Sequence, residues 1–144
     1  MLTIYNTIIL PHFDYCAVVW GSCNDTLITR LQRLQNRAMR IILKCPFRTH
    51  ISTMLNDLNW MCLRQRIFYL QCVWMWKVNH GLVPEYLSSK FKTNSSYSTR
   101  FSNSNNYFVE ICNHKSFKYT GTRAWNSLPP QIKSLENIDS FKSE

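Results

Sequence analysis

Apolar side chains follow a helical period through residues 24–45, NDTLITRLQRLQNRAMRIILKC. They recur at alternating steps of four and three, which places them on one face of an α-helix. We call this face the leucine seam; it consists of Leu27, Leu31, Leu34, Ala38 and Ile41, with Ile28 and Ile42 beside it. The pattern predicts one amphipathic helix that ends before Pro46 and turns the seam towards the core.

Basic side chains form a second stripe on the same helix, one position before most seam residues. At 100° per residue they lie along one flank of the seam. We call this stripe the basic ridge; it consists of Arg30, Arg33, Arg37, Arg40 and Lys44. It is about 21 Å long at about 1.5 Å of rise per residue. No acidic residue lies between Asp25 and Asp57, so the ridge has no local carboxylates to pair with.

The rest of the chain also has mainly helical patterns. Residues 61–79 are apolar around most of the helical circumference, which predicts a central, buried helix. For residues 2–10 helix is slightly preferred over strand. Shorter helices are predicted near residues 51–58, 84–87, 123–126 and 138–141.

Residues 88–106 shift to Ser, Asn, Thr and Lys and predict an exposed polar connector. Residues 107–112, YFVEIC, have the bulky and β-branched content of a short strand. The predicted fold is mostly α, a helical bundle-like domain with a long polar connector and a short C-terminal segment containing at most one or two short strands. The predicted division is 1–87, 88–106 and 107–144.

Charge narrows the function. The 144 residues carry 17 Lys and Arg against 8 Asp and Glu, a net charge of +9, so nucleic acid is the first partner to consider. The ridge could be an ordinary solvated flank of the helix with no binding role. The lack of nearby carboxylates favours a phosphate-binding surface instead.

The six cysteines show no CxxC spacing and are interpreted as buried thiols. No apolar run approaches a transmembrane length, and the N-terminus lacks the pattern of a signal peptide. An intracellular compartment, nucleus or cytoplasm, is the consistent prediction.

Motifs for catalysis are missing. The sequence has no Asp-Asp pair and no glycine-rich phosphate loop, so we predict no catalytic residue, no metal and no cofactor. His12 and Cys16 are four apart, but core packing is favoured over a zinc site because no second pair follows. Most tryptophans are interpreted as core residues; Trp60 and Trp125, beside polar residues, are the two candidate stacking platforms for bases.

Four segments together resemble a known family: LPHFDYCAVVWG at residues 10–21, LQRLQNRAMRII at 31–42, FKYTGTRAWNSLPPQIK at 117–133, and SFK at 140–142. In this order and spacing they resemble the region after the polymerase palm in reverse transcriptases of non-LTR retrotransposons of the jockey and CR1 type. The resemblance implies a thumb-like helical region that grips the template–primer duplex, followed by a C-terminal tail.

The resemblance also implies a fragment that is not catalytic alone, since the palm with its Tyr-x-Asp-Asp metal site and the endonuclease are not in this sequence. It further implies that apolar surface within residues 2–20, which would pack on the palm, is exposed, so we expect the isolated chain to self-associate.

Two other functions stay open. In a protein-interaction module, the basic amphipathic helix would lie in a groove of an acidic partner, and Leu31 and Leu34 would be exposed. In a nucleic-acid-binding domain, both leucines would be buried and their substitution would unfold the chain. The second alternative is that the chain is an inert translation product with no function.

Overall fold

Helices form the regular structure of the computed structural model, which describes residues 1–92, 105–110 and 113–143. No strand element occurs in these residues, and the mostly helical fold class is confirmed. The chain divides into two compact units, unit 1 (Met1–Ile67) and unit 2 (Phe68–Glu144). The predicted division at residues 87 and 106 stays a prediction, and most of the polar connector lies outside the described residues.

Unit 1 begins with a helical run, as the sequence predicts for residues 2–10. A π-helical turn, Tyr5–Ile9, interrupts this run because Pro11 has no N–H and its ring crowds the preceding turn. The helices of unit 1 are α1 (Leu2–Ile4), α2 (Leu10–Asp14), α3 (Ala17–Trp20), α4 (Asp25–Leu43), α5 (Ile51–Leu58) and the start of α6 (Leu63–Asn79).

Unit 2 contains the rest of α6 and four short helices in its described residues. These are α7 (Glu85–Ser88), α8 (Phe117–Ser127), α9 (Pro130–Lys133) and α10 (Ile138–Ser143). Within unit 2, α6 is central as predicted, with Met75 and Trp76 buried among aromatic residues of the later helices. Gly81 ends α6 in the left-handed conformation, at φ +66°, that glycine adopts without strain.

The segment that includes Trp125 and Lys133, which contributes to the family resemblance, builds the core of unit 2. Trp125 is 0% exposed, so its predicted role as a base-stacking platform is wrong. The side chain of Asn126 bonds both backbone groups of Tyr107, accepting from its N–H at 3.0 Å and donating to its carbonyl at 2.8 Å. Lys133 is buried, and its Nζ donates to Asn106 Oδ1 at 2.7 Å. Burial lowers the pKa of Lys133.

The strand predicted for residues 107–112 is not formed in its described part, residues 107–110. Tyr107 forms only an isolated β-bridge, and the N–H of Phe108 donates to the carbonyl of Lys92 at 2.8 Å. The Asn126 side chain bonds the N–H and the carbonyl of Tyr107. A side-chain amide carries both an NH₂ donor group and a carbonyl acceptor, so it can bond both backbone groups of a single residue. Residues 111 and 112 lie outside the described residues.

Helix α4 forms where the sequence predicts it, but its orientation is different. Leu27, Leu34 and Ile41 are 47%, 57% and 52% exposed, so the prediction that the leucine seam faces the core is wrong for them. Leu31 and Ala38 are half-buried. The side that faces the unit lies about 100–120° further round the helix; its buried residues are Ile28, Gln35, Asn36 and Met39.

Amide side chains explain this orientation. Gln32 Oε1 accepts from the backbone N–H of Leu63 at 2.7 Å, and Gln35 Nε2 donates to the carbonyl of Met61 at 3.0 Å. Gln32 Nε2 in turn donates to Gln35 Oε1 at 2.8 Å and to Asn36 Oδ1 at 2.9 Å. Since the first N–H groups of a helix have no partner within it, Gln32 supplies the acceptor for the first N–H of α6. Gln35 supplies a donor to the carbonyl of Met61, just before α6.

The orientation of α4 predicts unequal stability effects on its two sides. Met39→Ala, at a side chain that is 0% exposed, should lower the free energy of unfolding by about 2–5 kcal/mol because it leaves a cavity. Leu34→Ala should change it by about 0.5 kcal/mol or less, since that side chain is exposed. Urea denaturation followed by circular dichroism measures both. Equal losses, or a larger loss at Leu34, would mean that the seam faces the core after all.

The buried-thiol prediction holds for Cys72 and is wrong for Cys16, which is exposed. Cys23, Cys45 and Cys62 are half-buried, and Cys112 lies outside the described residues. Burial raises the pKa of the Cys72 thiol to about 12. The Cys72 thiol therefore stays almost wholly protonated at pH 8.

We expect iodoacetamide at pH 8 to modify Cys16 within minutes and to leave Cys72 unmodified until urea unfolds the chain, because the thiolate is the nucleophile. Peptide mass spectrometry resolves the two sites. Modification of Cys72 in the native chain at a rate similar to Cys16 would contradict its burial.

Candidate nucleic-acid interface

The basic ridge lies on the solvent side of α4. Arg30, Arg33, Arg37 and Lys44 are exposed, and Arg40 is half-buried. The ridge is accessible although the seam is not turned to the core. Going round the helix, the seam lies between the ridge and the buried side of α4. The helix ends at Leu43, so Lys44 occupies the C-cap in the left-handed conformation, at φ 51°.

Two carboxylates of unit 1 form ion pairs with arginines that are not part of the basic ridge. Arg66 makes a two-bond ion pair with Asp14 at 2.7 and 2.9 Å, and Arg64 pairs with Asp25 at 2.8 Å. Within the ranges that the structure describes, no ridge residue forms an ion pair. The ridge charges are therefore not neutralised by the described part of the protein.

Arg40 differs from the other ridge residues. Its Nη1 donates to the carbonyl of Asn36 at 3.4 Å, and its guanidinium carbon lies 5.0 Å from the centre of the Phe47 ring. A cation over an aromatic face is held in place while it keeps its charge. Arg40 is thus the most fixed cation of the ridge, and the four others project into solvent.

Trp60 is half-buried and stacks on Tyr5 with ring centres 4.0 Å apart. One face of its indole is thus occupied within unit 1, and base stacking on Trp60 stays a prediction. His12 and Cys16 are both exposed, so the prediction that they pack in the core is wrong. Cys16 lies in the left-handed break between α2 and α3, at φ 50°, so the two residues do not share one continuous helix.

The described ranges offer neither a metal site nor a membrane span. No three His, Cys, Asp or Glu side chains come together there in a way that could hold a metal ion. Among the described helices, none combines the length and hydropathy needed to cross a bilayer.

Comparison with known proteins finds partial relatives. No family model matches, and no solved structure matches. The probable RNA-directed DNA polymerase from transposon X-element of Drosophila melanogaster is 37% identical over 58 residues, which are 40% of this chain and 6% of that protein. The probable RNA-directed DNA polymerase from transposon BS of the same species is 34% identical over 64 residues, 44% of this chain and 7% of that protein. Part of this chain is related to transposon reverse transcriptases.

The relatedness confirms, at this level, the family resemblance seen in the sequence. The matched part amounts to less than a tenth of the length of each of these curated relatives. The match therefore does not show that this chain has the activity of a whole reverse transcriptase.

Sequence reasoning placed the ridge on an accessible flank but missed the exposure of the seam. A signal for it was present: the stripe that includes Gln32, Gln35 and Asn36 is polar yet uncharged. A side-chain amide bonds a backbone donor or acceptor without carrying a charge out of water, so its burial costs less than that of a charged side chain.

Proposed function

We propose that this chain is a piece of a transposon RNA-directed DNA polymerase that holds nucleic acid by its phosphate backbone, and that the basic ridge of α4 makes the contacts. In this proposal residues 1–87 are the thumb-like region that lies against the template–primer duplex, and the chain catalyses nothing alone. The observation that carries it is the row of exposed cations without ion-pair partners among the described residues.

Charge supports the proposal. Unit 1 holds eight Lys and Arg and three Asp and Glu, a net +5 in residues 1–67. Two of those carboxylates, on Asp14 and Asp25, pair with arginines of α6. The excess positive charge is therefore concentrated on α4, where it can release counterions from a polyanion.

The length of the ridge also supports the proposal. Its extent of about 21 Å faces about six phosphates of each strand, at about 3.4 Å of duplex axis per phosphate. Guanidinium groups donate two hydrogen bonds to one phosphate, so arginine suits this contact better than lysine. Backbone contacts of this kind position a duplex without reading its sequence.

The exposure of Leu34 is what the protein-interaction module predicts, and the expectation that a nucleic-acid-binding domain buries both Leu31 and Leu34 is wrong for Leu34. Leu34 is exposed and Leu31 is half-buried, so substitution of Leu34 should spare the fold under either function. Charge reversal on the ridge remains informative, because it acts on phosphate contacts directly.

We expect the full chain to bind a 20-base-pair RNA–DNA hybrid with a slope of about −4 to −5 in a plot of log affinity against log salt, since each phosphate contact contributes about −0.9. The triple variant Arg30→Glu, Arg33→Glu, Arg37→Glu should bind at least a hundredfold more weakly at low salt, with a slope of about −1 to −2. Fluorescence anisotropy of a labelled hybrid measures both. Arg40 is left unchanged because it is half-buried.

The matched control reverses three exposed lysines of unit 2, Lys90, Lys92 and Lys115, and so changes the net charge equally. It should retain most of the affinity. If both triples lose binding to the same degree, net charge and not the ridge attracts nucleic acid. A wild-type slope near zero, or no binding at low salt, would remove the proposal and favour a protein-interaction module or an inert product.

A further inference from the structure

The leucine seam is an apolar stripe that unit 1 leaves largely uncovered. Its exposed members Leu27, Leu34 and Ile41 are seven residues apart, so they form a straight row about 21 Å long on α4. Exposed apolar side chains in a continuous row mark interaction surfaces, whereas isolated ones do not.

The spacing of the seam is that of a coiled-coil helix. In a heptad written abcdefg, Leu31 and Ala38 take position a, and Leu27, Leu34 and Ile41 take position d. Positions e and g flank such a seam and select the partner by charge. Position g is filled by Arg30, Arg37 and Lys44, whereas Arg33 and Arg40 take position c, further from the seam.

The two flanks of the seam are unequal. On the e side, Ile28 and Gln35 are buried in unit 1 and Ile42 is half-buried, so this flank is closed by the protein itself. On the g side, Arg30 and Arg37 are exposed. A helix bound on the seam would therefore contact the surface of unit 1 on its e side and the exposed arginines on its g side.

We propose that the leucine seam docks an amphipathic helix of a partner protein, and that the apolar stripe of this helix is flanked by Asp or Glu on the side that faces Arg30 and Arg37. Charge complementarity chooses this occupant, because these two cations have no ion-pair partners among the described residues. The apolar stripe supplies contact area and the carboxylates supply orientation.

Other occupants fit less well. A second copy of α4 brings more cations and no carboxylates, since residues 26–56 contain neither Asp nor Glu. A groove that engulfs the whole helix would require α4 to leave unit 1, where Met39 and Gln35 are buried. Nucleic acid would bind the cations through its phosphates and would leave the aliphatic side chains of the seam uncovered. Docking on the seam goes beyond phosphate binding: the site rests on the exposure of the seam, and only the charge of the partner is argued from Arg30 and Arg37, which are unpaired among the described residues.

The test uses two synthetic 28-residue probes with leucine at every a and d position. The acidic probe has Glu at e and g, and the basic probe has Lys at the same positions, so like charges keep each probe from pairing with itself. We expect the full chain to bind the acidic probe at least tenfold more tightly than the basic probe, measured by anisotropy of a labelled probe. Helicity of the acidic probe should rise in the mixture.

Variants then assign the contact. Leu27→Ser with Leu34→Ser, both at exposed positions, should weaken binding of the acidic probe at least tenfold and leave affinity for the RNA–DNA hybrid within about twofold. Arg37→Glu should weaken probe binding by about three- to tenfold, because it turns an exposed attraction into a repulsion. Arg33→Glu, the matched reversal at position c, should change it less than twofold.

Equal binding of both probes, or an unchanged affinity in the leucine double variant with native circular dichroism, would overturn the proposal. So would a wild-type dimer in light scattering that the leucine double variant converts to monomer, because a second copy would then occupy the seam. Loss of hybrid binding in Arg30→Glu, Arg33→Glu, Arg37→Glu has no bearing on these outcomes, so the two proposals fail separately.

Discussion

Two hydrogen bonds between amide side chains of α4 and the backbone at residues 61–63 set the orientation of α4, and the surface of unit 1 follows from that orientation. These bonds satisfy the N–H of Leu63 and the carbonyl of Met61. A buried backbone group without a partner costs about 1–3 kcal/mol, so the bond to the N–H of Leu63, a residue that is 2% exposed, offsets part of the stabilisation lost with the exposed seam. Ile28 and Met39 lie on the same side as the amides and add their burial to it.

The cost of this arrangement is the leucine seam. Leaving about half of three branched side chains exposed forfeits about 2–4 kcal/mol of hydrophobic stabilisation. A stripe of that kind is stable in a folded unit only because other contacts hold α4, and covering it would recover the loss. The same rotation keeps the basic ridge on the solvent side, so apolar and cationic stripes lie next to each other on one accessible surface of α4.

Much of the fold could be predicted from the sequence, because capping residues and apolar periods are local. The predicted helix at 51–58 is α5 (Ile51–Leu58), and the predicted central helix at 61–79 is α6 (Leu63–Asn79). The orientation of α4 could not be predicted in this way. The leucine seam and the amide-containing stripe of α4 lie about 100–120° apart, and either could have faced the core. Which one does depends on hydrogen bonds to the backbone of residues 61–63, which contact α4 only in the folded chain.

The central claim, that α4 faces unit 1 with its amide and Met39 side and presents the seam to water, is tested most directly by solvent relaxation. A soluble gadolinium chelate added to the methyl-labelled chain should strongly broaden the methyl resonances of Leu34 and Ile41 and leave the ε-methyl of Met39 sharp. Broadening of Met39 together with protected methyls on Leu34 and Ile41 would contradict the account.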